Sequence, residues 1–175
     1  MRTLPAACRA ACARRAIAPT EQVVVISAAL QTASVYEDGV LARTLRCSTS
    51  RFGVGQVEGS YRTPLGLHRV AEKIGDGEPA GTVFKGRRVV GHTAEAAFAD
   101  ATITTRILWL EGLEPGVNQG GTVDSHARFI YIHGTSDQAV VGRPASHGCI
   151  LLADADLLWL FDRLPLQSLV WIQPE

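Results

Sequence analysis

Residues 35–41 read Val35-Tyr36-Glu37-Asp38-Gly39-Val40-Leu41, with an Asp-Gly pair set between two apolar stretches. This is a strong short-range signal of a β-hairpin, because both central turn residues take positive φ and Gly accepts it without steric cost. The flanking sequence keeps the same character. Gln22-Val23-Val24-Val25-Ile26 is a β-branched run of strand type, and residues 42–48 continue from the turn as the second arm. Thr63-Pro64-Leu65-Gly66-Leu67-His68-Arg69-Val70 opens with a turn and passes into an alternating strand, and residues 104–111, 128–133 and 168–172 read as further strands. One helix is convincing: Asp154 as its cap, then Leu157, Leu158, Leu160, Phe161 and Leu164, with Pro165 as the stop. Many short strands with one late helix predict a mainly β domain of sandwich or barrel type. Residues 73–101, rich in Gly, Ala and charge with no firm period, are expected to form a long mobile excursion, a lid or binding loop.

Composition bounds what such a domain can do. The 175 residues are 46% hydrophobic and 19% charged, enough for a single core of ordinary size. Seventeen Lys and Arg balance 17 Asp and Glu, and without a basic excess a nucleic-acid partner is excluded. The balance is uneven along the chain. Residues 1–20 carry Arg2, Arg9, Arg14 and Arg15 and no acid, whereas residues 21–175 hold 13 basic and 17 acidic side chains, a net of −4. The boundary therefore falls near residue 20, between a basic extension expected to be disordered or loosely helical and a folded domain over 21–175. Arginine interrupts every apolar run of the extension, too early for the roughly 7–15-residue apolar core of a secretory signal. No later stretch approaches the ~18 apolar residues of a membrane span. The expectation is a cytoplasmic protein, with the periplasm or cell envelope as the alternative.

The chemistry concentrates in His133-Gly134-Thr135 and, after a loop through Gly142 and Pro144, Ser146-His147-Gly148-Cys149-Ile150. A thiol becomes a nucleophile when a neighbouring base or positive field favours the thiolate, and histidine is the usual provider. His147 precedes the cysteine by two residues, and His133 ends a strand 16 residues upstream. Gly148 removes a side chain beside the thiol, so a substrate carbonyl can approach backbone amides that would act as an oxyanion hole. Cys8 and Cys12 read as residues of the extension and Cys47 as a small buried strand residue. No metal-ligand spacing is present, and neither a metal nor a cofactor is expected.

Ile132-His133-Gly134-Thr135 followed by Ser146-His147-Gly148-Cys149-Ile150 resembles the signature of the L,D-transpeptidase catalytic domain, also called the YkuD-like domain. Arg62-Thr63-Pro64-Leu65-Gly66 is similar to a Thr-Pro-x-Gly segment upstream in that family, and the resemblance covers roughly residues 21–173. It implies an L,D-transpeptidase-like β-sandwich or barrel. It also implies acyl transfer on peptidoglycan stem peptides or muropeptides, at the bond between the third-position diamino acid and D-alanine. Carried onto this chain, Cys149 is the nucleophile that forms a thioester, and His133 is base and acid, oriented by the Gly134 carbonyl. The amides of His147, Gly148 and Cys149 form the oxyanion hole, and Ser146 and His147 complete the site. Arg143, Thr135 and Tyr131 are candidates for substrate contact, and carbapenems are expected inhibitors. Family members usually carry arginine after the Cys-Ile pair, where this chain has Leu151, and Arg143 is the expected substitute. Resolution of the thioester by water would make the protein an L,D-carboxypeptidase of cell-wall recycling, and by an amine a transpeptidase. A catalytically weakened murein-binding domain is the reading of a different class that Leu151 leaves open.

Overall fold

The computed structural model describes residues 3–175; Arg2, one of the four arginines of the basic extension, lies outside the described residues. Ten strands form one sheet: β1 (Gln22–Ser27), β2 (Thr32–Glu37), β3 (Val40–Ser48), β4 (Gly66–Ile74), β5 (Thr82–Lys85), β6 (Arg88–His92), β7 (Thr104–Gly112), β8 (Tyr131–Gly134), β9 (Ile150–Leu152) and β10 (Leu169–Gln173). Their order is β4-β10-β1-β2-β3-β9-β8-β7-β5-β6, and an additional β4–β7 pairing closes eight of them into a barrel, with the β5–β6 hairpin attached outside the ring through β7. The Asp38-Gly39 turn has φ of 49° and 75°, the paired left-handed geometry that a tight hairpin requires. Closure leaves no open edge in the ring itself.

The alternation within β1 shows how the layers are built. Val24 and Ile26 join Val35, Leu45, Leu108, Ile132, Ile150 and Val170 in the main core, which is filled by Leu157, Leu160 and Phe161 of helix α2 (Asp154–Arg163). Val23 and Val25 point the other way, into a second cluster with Tyr36, Leu67, Leu169 and Trp171. That outer face is covered by a helix, α1 (Ala6–Arg14), through Cys8, Ala11 and Cys12. Most of the residues expected to form a disordered or loosely helical extension are thus ordered, and Cys8 and Cys12 are core residues. The physical reason is a stripe at i, i+3 and i+4 on an alanine-rich segment of high helix propensity, docked on apolar strand residues that would otherwise face water. The chain before α1 is tied down by Leu4 N–H donating to the Gly39 carbonyl at 2.9 Å.

Three further boundaries differ from expectation. Residues 73–101 are not structureless, because β5 and β6 pair within them and Phe84 of β5 is buried against Ile107 and Trp109. The strand expected at 128–133 begins only at Tyr131, since Phe129 takes φ of 57° and its amide donates to the His126 carbonyl in a turn. Ala153, not Asp154, is the N-cap of α2; the Asp154 carboxylate instead accepts a hydrogen bond from the Thr105 hydroxyl at 2.5 Å.

Candidate active site

Parallel pairing of β8 with β9 sets Ile132 beside Ile150 and His133 beside Leu151. Ile132 and Ile150 lie in the main core. Side chains alternate along each strand, so Tyr131, His133, Cys149 and Leu151 share the opposite face. His133 and Cys149 become diagonal neighbours there, although 15 residues separate them in the chain. Both line one cleft of about 440 Å³ together with Thr102, Ile103, Thr135, Ser146, His147 and Leu151. A larger hollow of about 630 Å³ between β4 and α2 holds neither group.

His133 is held in one tautomer. Its Nδ1 lies 2.7 Å from the Gly134 carbonyl oxygen and so must carry the donated hydrogen, which leaves the Nε2 lone pair as the basic site. Burial lowers its pKa to about 4, against the opposing pull of that hydrogen bond. The Cys149 thiol donates to the Phe129 carbonyl and accepts from the Tyr131 amide, both at 3.4 Å. Burial pushes its pKa up to about 11, while the Tyr131 amide and the Arg128 guanidinium pull the other way. The resting pair is therefore a neutral imidazole and a neutral thiol. Moving the proton from Sγ to Nε2 costs on the order of 10 kcal/mol before the attraction between the resulting ions is counted.

The segment preceding the thiol is braced by hydroxyls. Ser146 Oγ donates to the Cys149 carbonyl at 2.6 Å and accepts from the Gly148 amide at 3.2 Å. Thr63 Oγ1 donates to the Gly148 carbonyl at 3.0 Å and accepts from the Ser50 amide at 2.9 Å. Gly148 takes φ of 124°, and a Cβ there would stand 3.4 Å from the Arg62 carbonyl oxygen. Of the three amides expected in an oxyanion hole, that of Gly148 is thus already engaged by Ser146. His147 is exposed, with its Nε2 2.5 Å from Arg51 Nη2, and its ring packs against Phe52 and Tyr61.

Two expected substrate contacts are not brought into the cleft. Arg143 is exposed and absent from the cleft lining, because Gly142 is pinned through its amide to the Cys47 carbonyl and Arg143 is turned outward beyond it. The Tyr131 ring is buried edge-on to Trp109 at 5.5 Å, with its hydroxyl accepting from Arg87 at 3.3 Å. Its strand position serves the thiol through a backbone amide. Thr135 does line the cleft. Two residues beside the site were not among the sequence candidates. Thr63 lay in a recognised segment without an assigned role, and Arg128 carried no local signal at all. The other histidines stand apart from the cleft lining: His68 is buried between the Gly66 carbonyl and Ser125 Oγ, His92 bonds the Ala80 carbonyl, and His126 stacks on Trp109 at 3.9 Å. No group of three or more His, Cys, Asp or Glu side chains that could hold a metal ion occurs among the described residues.

The model of the L,D-transpeptidase catalytic domain matches residues 21–172. The chain belongs to the L,D-transpeptidase catalytic-domain family. Solved structures agree in fold. An L,D-transpeptidase from Mycobacterium smegmatis is 21% identical with a TM-score of 0.53, covering 87% of this chain and 58% of its own. L,D-transpeptidase 3 from Mycobacterium tuberculosis, in complex with a faropenem-derived adduct, is 18% identical with a TM-score of 0.55, covering 87% and 60%. An L,D-transpeptidase from Xylanimonas cellulosilytica is 20% identical with a TM-score of 0.52, covering 89% and 62%. The chain thus spans about three fifths of the length of these L,D-transpeptidases. No curated protein matches the chain. No helix among the described residues is long and apolar enough to cross a membrane.

Proposed function

We propose that this L,D-transpeptidase-family domain is a cysteine acyltransferase acting on peptidoglycan stem peptides, with Cys149 as nucleophile and His133 as base and acid. The observation that carries this reading is one cleft containing both groups, with the His133 tautomer fixed by Gly134. Substrate binding brings the carbonyl of the third-position diamino acid to Sγ. The thiol proton passes to Nε2 of His133 as the S–C bond forms, and the tetrahedral oxyanion is met by the amides of His147 and Cys149. Collapse breaks the bond to D-alanine, whose nitrogen takes the proton back from Nε2, leaving a thioester on Cys149. An acceptor amine, or water, then attacks the thioester by the same route in reverse.

Water as acceptor makes the protein an L,D-carboxypeptidase; an amine makes it a transpeptidase. Leu151 supports a cleft with an apolar wall where a charged side chain usually stands, which suits a small acceptor without a fixed anion. Incubation with a disaccharide-tetrapeptide, with and without a second stem peptide, tests both levels. D-alanine release without dimers is the result expected of the carboxypeptidase. Dimer formation sinks that choice but keeps the acyltransferase, and the absence of any D-alanine release or acyl-enzyme overturns the whole reading. β-Lactam acylation is a second probe, prompted by the faropenem-derived adduct in the Mycobacterium tuberculosis relative.

A further inference from the structure

Arg128 is half-buried, in the segment just before β8, and its guanidinium reaches across to the segment between β3 and β4. Nη1 donates to the Gln56 carbonyl at 2.8 Å and to the Gly55 carbonyl at 3.4 Å, and Nη2 to the Arg62 carbonyl at 2.7 Å. The Arg62 carbonyl in turn lies against the face of Gly148, and Thr63, the next residue, holds the Gly148 carbonyl. On the other side, Phe129, the residue after Arg128, supplies the carbonyl that accepts the Cys149 thiol. Arg128 thus joins the two backbone segments that bracket the nucleophile. Its hydrogen-bond partners are neutral carbonyls, and among the described residues it forms no ion pair; Glu58, in the same groove, acts on it through space without contact. A small groove of about 150 Å³ runs from Arg128 past Tyr61 and Phe129 to His147, and His133 is not among its walls.

Resting on the assignment of Cys149 as nucleophile, we propose that Arg128 is a positioning residue that sets the nucleophile's loop and supplies the fixed positive charge under which the thiol ionises. His133 receives the proton on one side, and Arg128 steadies the sulfur anion from the other without exchanging a proton itself. Arginine suits this place because it stays charged when partly buried and its planar fork binds several carbonyls at once, which a lysine ammonium cannot match. The influence is reciprocal: burial raises the thiol's pKa and lowers that of the guanidinium, and each group's charge, with the Glu58 carboxylate on the guanidinium's side, pulls the other's back.

The test is alkylation of Cys149 by iodoacetamide over a pH series, followed site by site through peptide mass spectrometry, in the wild type, Arg128→Gln and Arg128→Lys. The expected result for Arg128→Gln is roughly tenfold slower alkylation at neutral pH, with the titration of the rate moved to higher pH. Arg128→Lys keeps the charge but not the three carbonyl bonds, so it melts at lower temperature while its alkylation stays within about threefold of wild type. A pH profile unchanged in Arg128→Gln, or equal slowing in both variants, overturns the proposal and leaves Arg128 a structural staple. If Arg128→Gln does not fold, Arg128→Lys decides alone, because loss of its alkylation on a folded protein contradicts the charge role. Failure of the nucleophile assignment is distinguishable: D-alanine release would then survive in Cys149→Ala whatever Arg128 does.

Discussion

Replacing Thr63 by valine keeps the volume and shape of the side chain and removes a single hydroxyl, which makes it a sharp probe of how the active-site loop is held. Thr63 is fully buried, and its Oγ1 both donates to the Gly148 carbonyl and accepts from the Ser50 amide. Valine strands two buried backbone groups, each worth about 1–3 kcal/mol when left unpaired, so the expected loss is about 2–6 kcal/mol. For a domain of this size that lowers the melting temperature by about 4–24 °C. Thr63→Ser retains the hydroxyl and should recover most of the loss. Acylation should suffer beyond stability, because Gly148 precedes the proposed nucleophile Cys149 and a misplacement of about 1 Å there can cost about 100-fold in rate. The assay is urea unfolding of the wild type, Thr63→Val and Thr63→Ser, with β-lactam acylation of Cys149 measured in all three well below the melting range. A Thr63→Val protein within about 1 kcal/mol of wild type, the lower end of the cost of one stranded group, and acylating at the wild-type rate, would refute the reasoning.

Other outcomes follow from the same contacts. His133→Gln should leave the fold intact and slow acylation by about 10²–10⁴-fold, the usual worth of a general base, as read by stopped-flow with a β-lactam. Because His133 is neutral above about 4 and the thiol keeps its proton below about 11, the acylation rate should be nearly flat from about pH 6 to about pH 9 and fall as the solution is acidified through about 4. Buried His68 has its pKa lowered to about 4 from 6.5, so the unfolded chain takes up the proton first. Its stabilising contribution is complete above about 6.5 and is lost as pH falls toward 4, by about 3 kcal/mol; buried His133 is lowered likewise, so the difference between urea unfolding at about pH 7 and about pH 4.5 should shrink by about that amount in His68→Gln. Cys8→Asp places a carboxylate in the fully buried contact under α1, so Arg9 and Arg14 should become rapid trypsin sites that are protected in the wild type.

The barrel's strands were legible because local signals coincide with their tertiary use: Asp38-Gly39 is a hairpin turn in sequence and in structure. A loosely helical extension was one of two expectations for residues 1–20, but its docking on the barrel was hidden by charge, since four arginines dominate the segment, while the informative signal sat elsewhere. An unbroken Val23-Val24-Val25-Ile26 run means burial on both faces, and that implied a covering element for the outer one. In the site, the residues carried by two short motifs were readable from their spacing. Thr63 and Arg128 act across 85 and 66 residues of chain and touch mostly backbone carbonyls, whose identity leaves no trace in the sequence. Arg143 misled for the converse reason: six residues from Cys149 in sequence, it is turned out of the cleft by the Gly142 anchor.

Cys149 is proposed to form the acyl-enzyme with His133 as its proton acceptor. Intact-protein and peptide mass spectrometry after brief exposure to a disaccharide-tetrapeptide, with acid quench, tests it most directly. One adduct per chain is expected, of the mass of the substrate less D-alanine, located on Cys149, absent in Cys149→Ala and greatly slowed in His133→Gln. An adduct on any other residue, or D-alanine release that persists in Cys149→Ala, would contradict it.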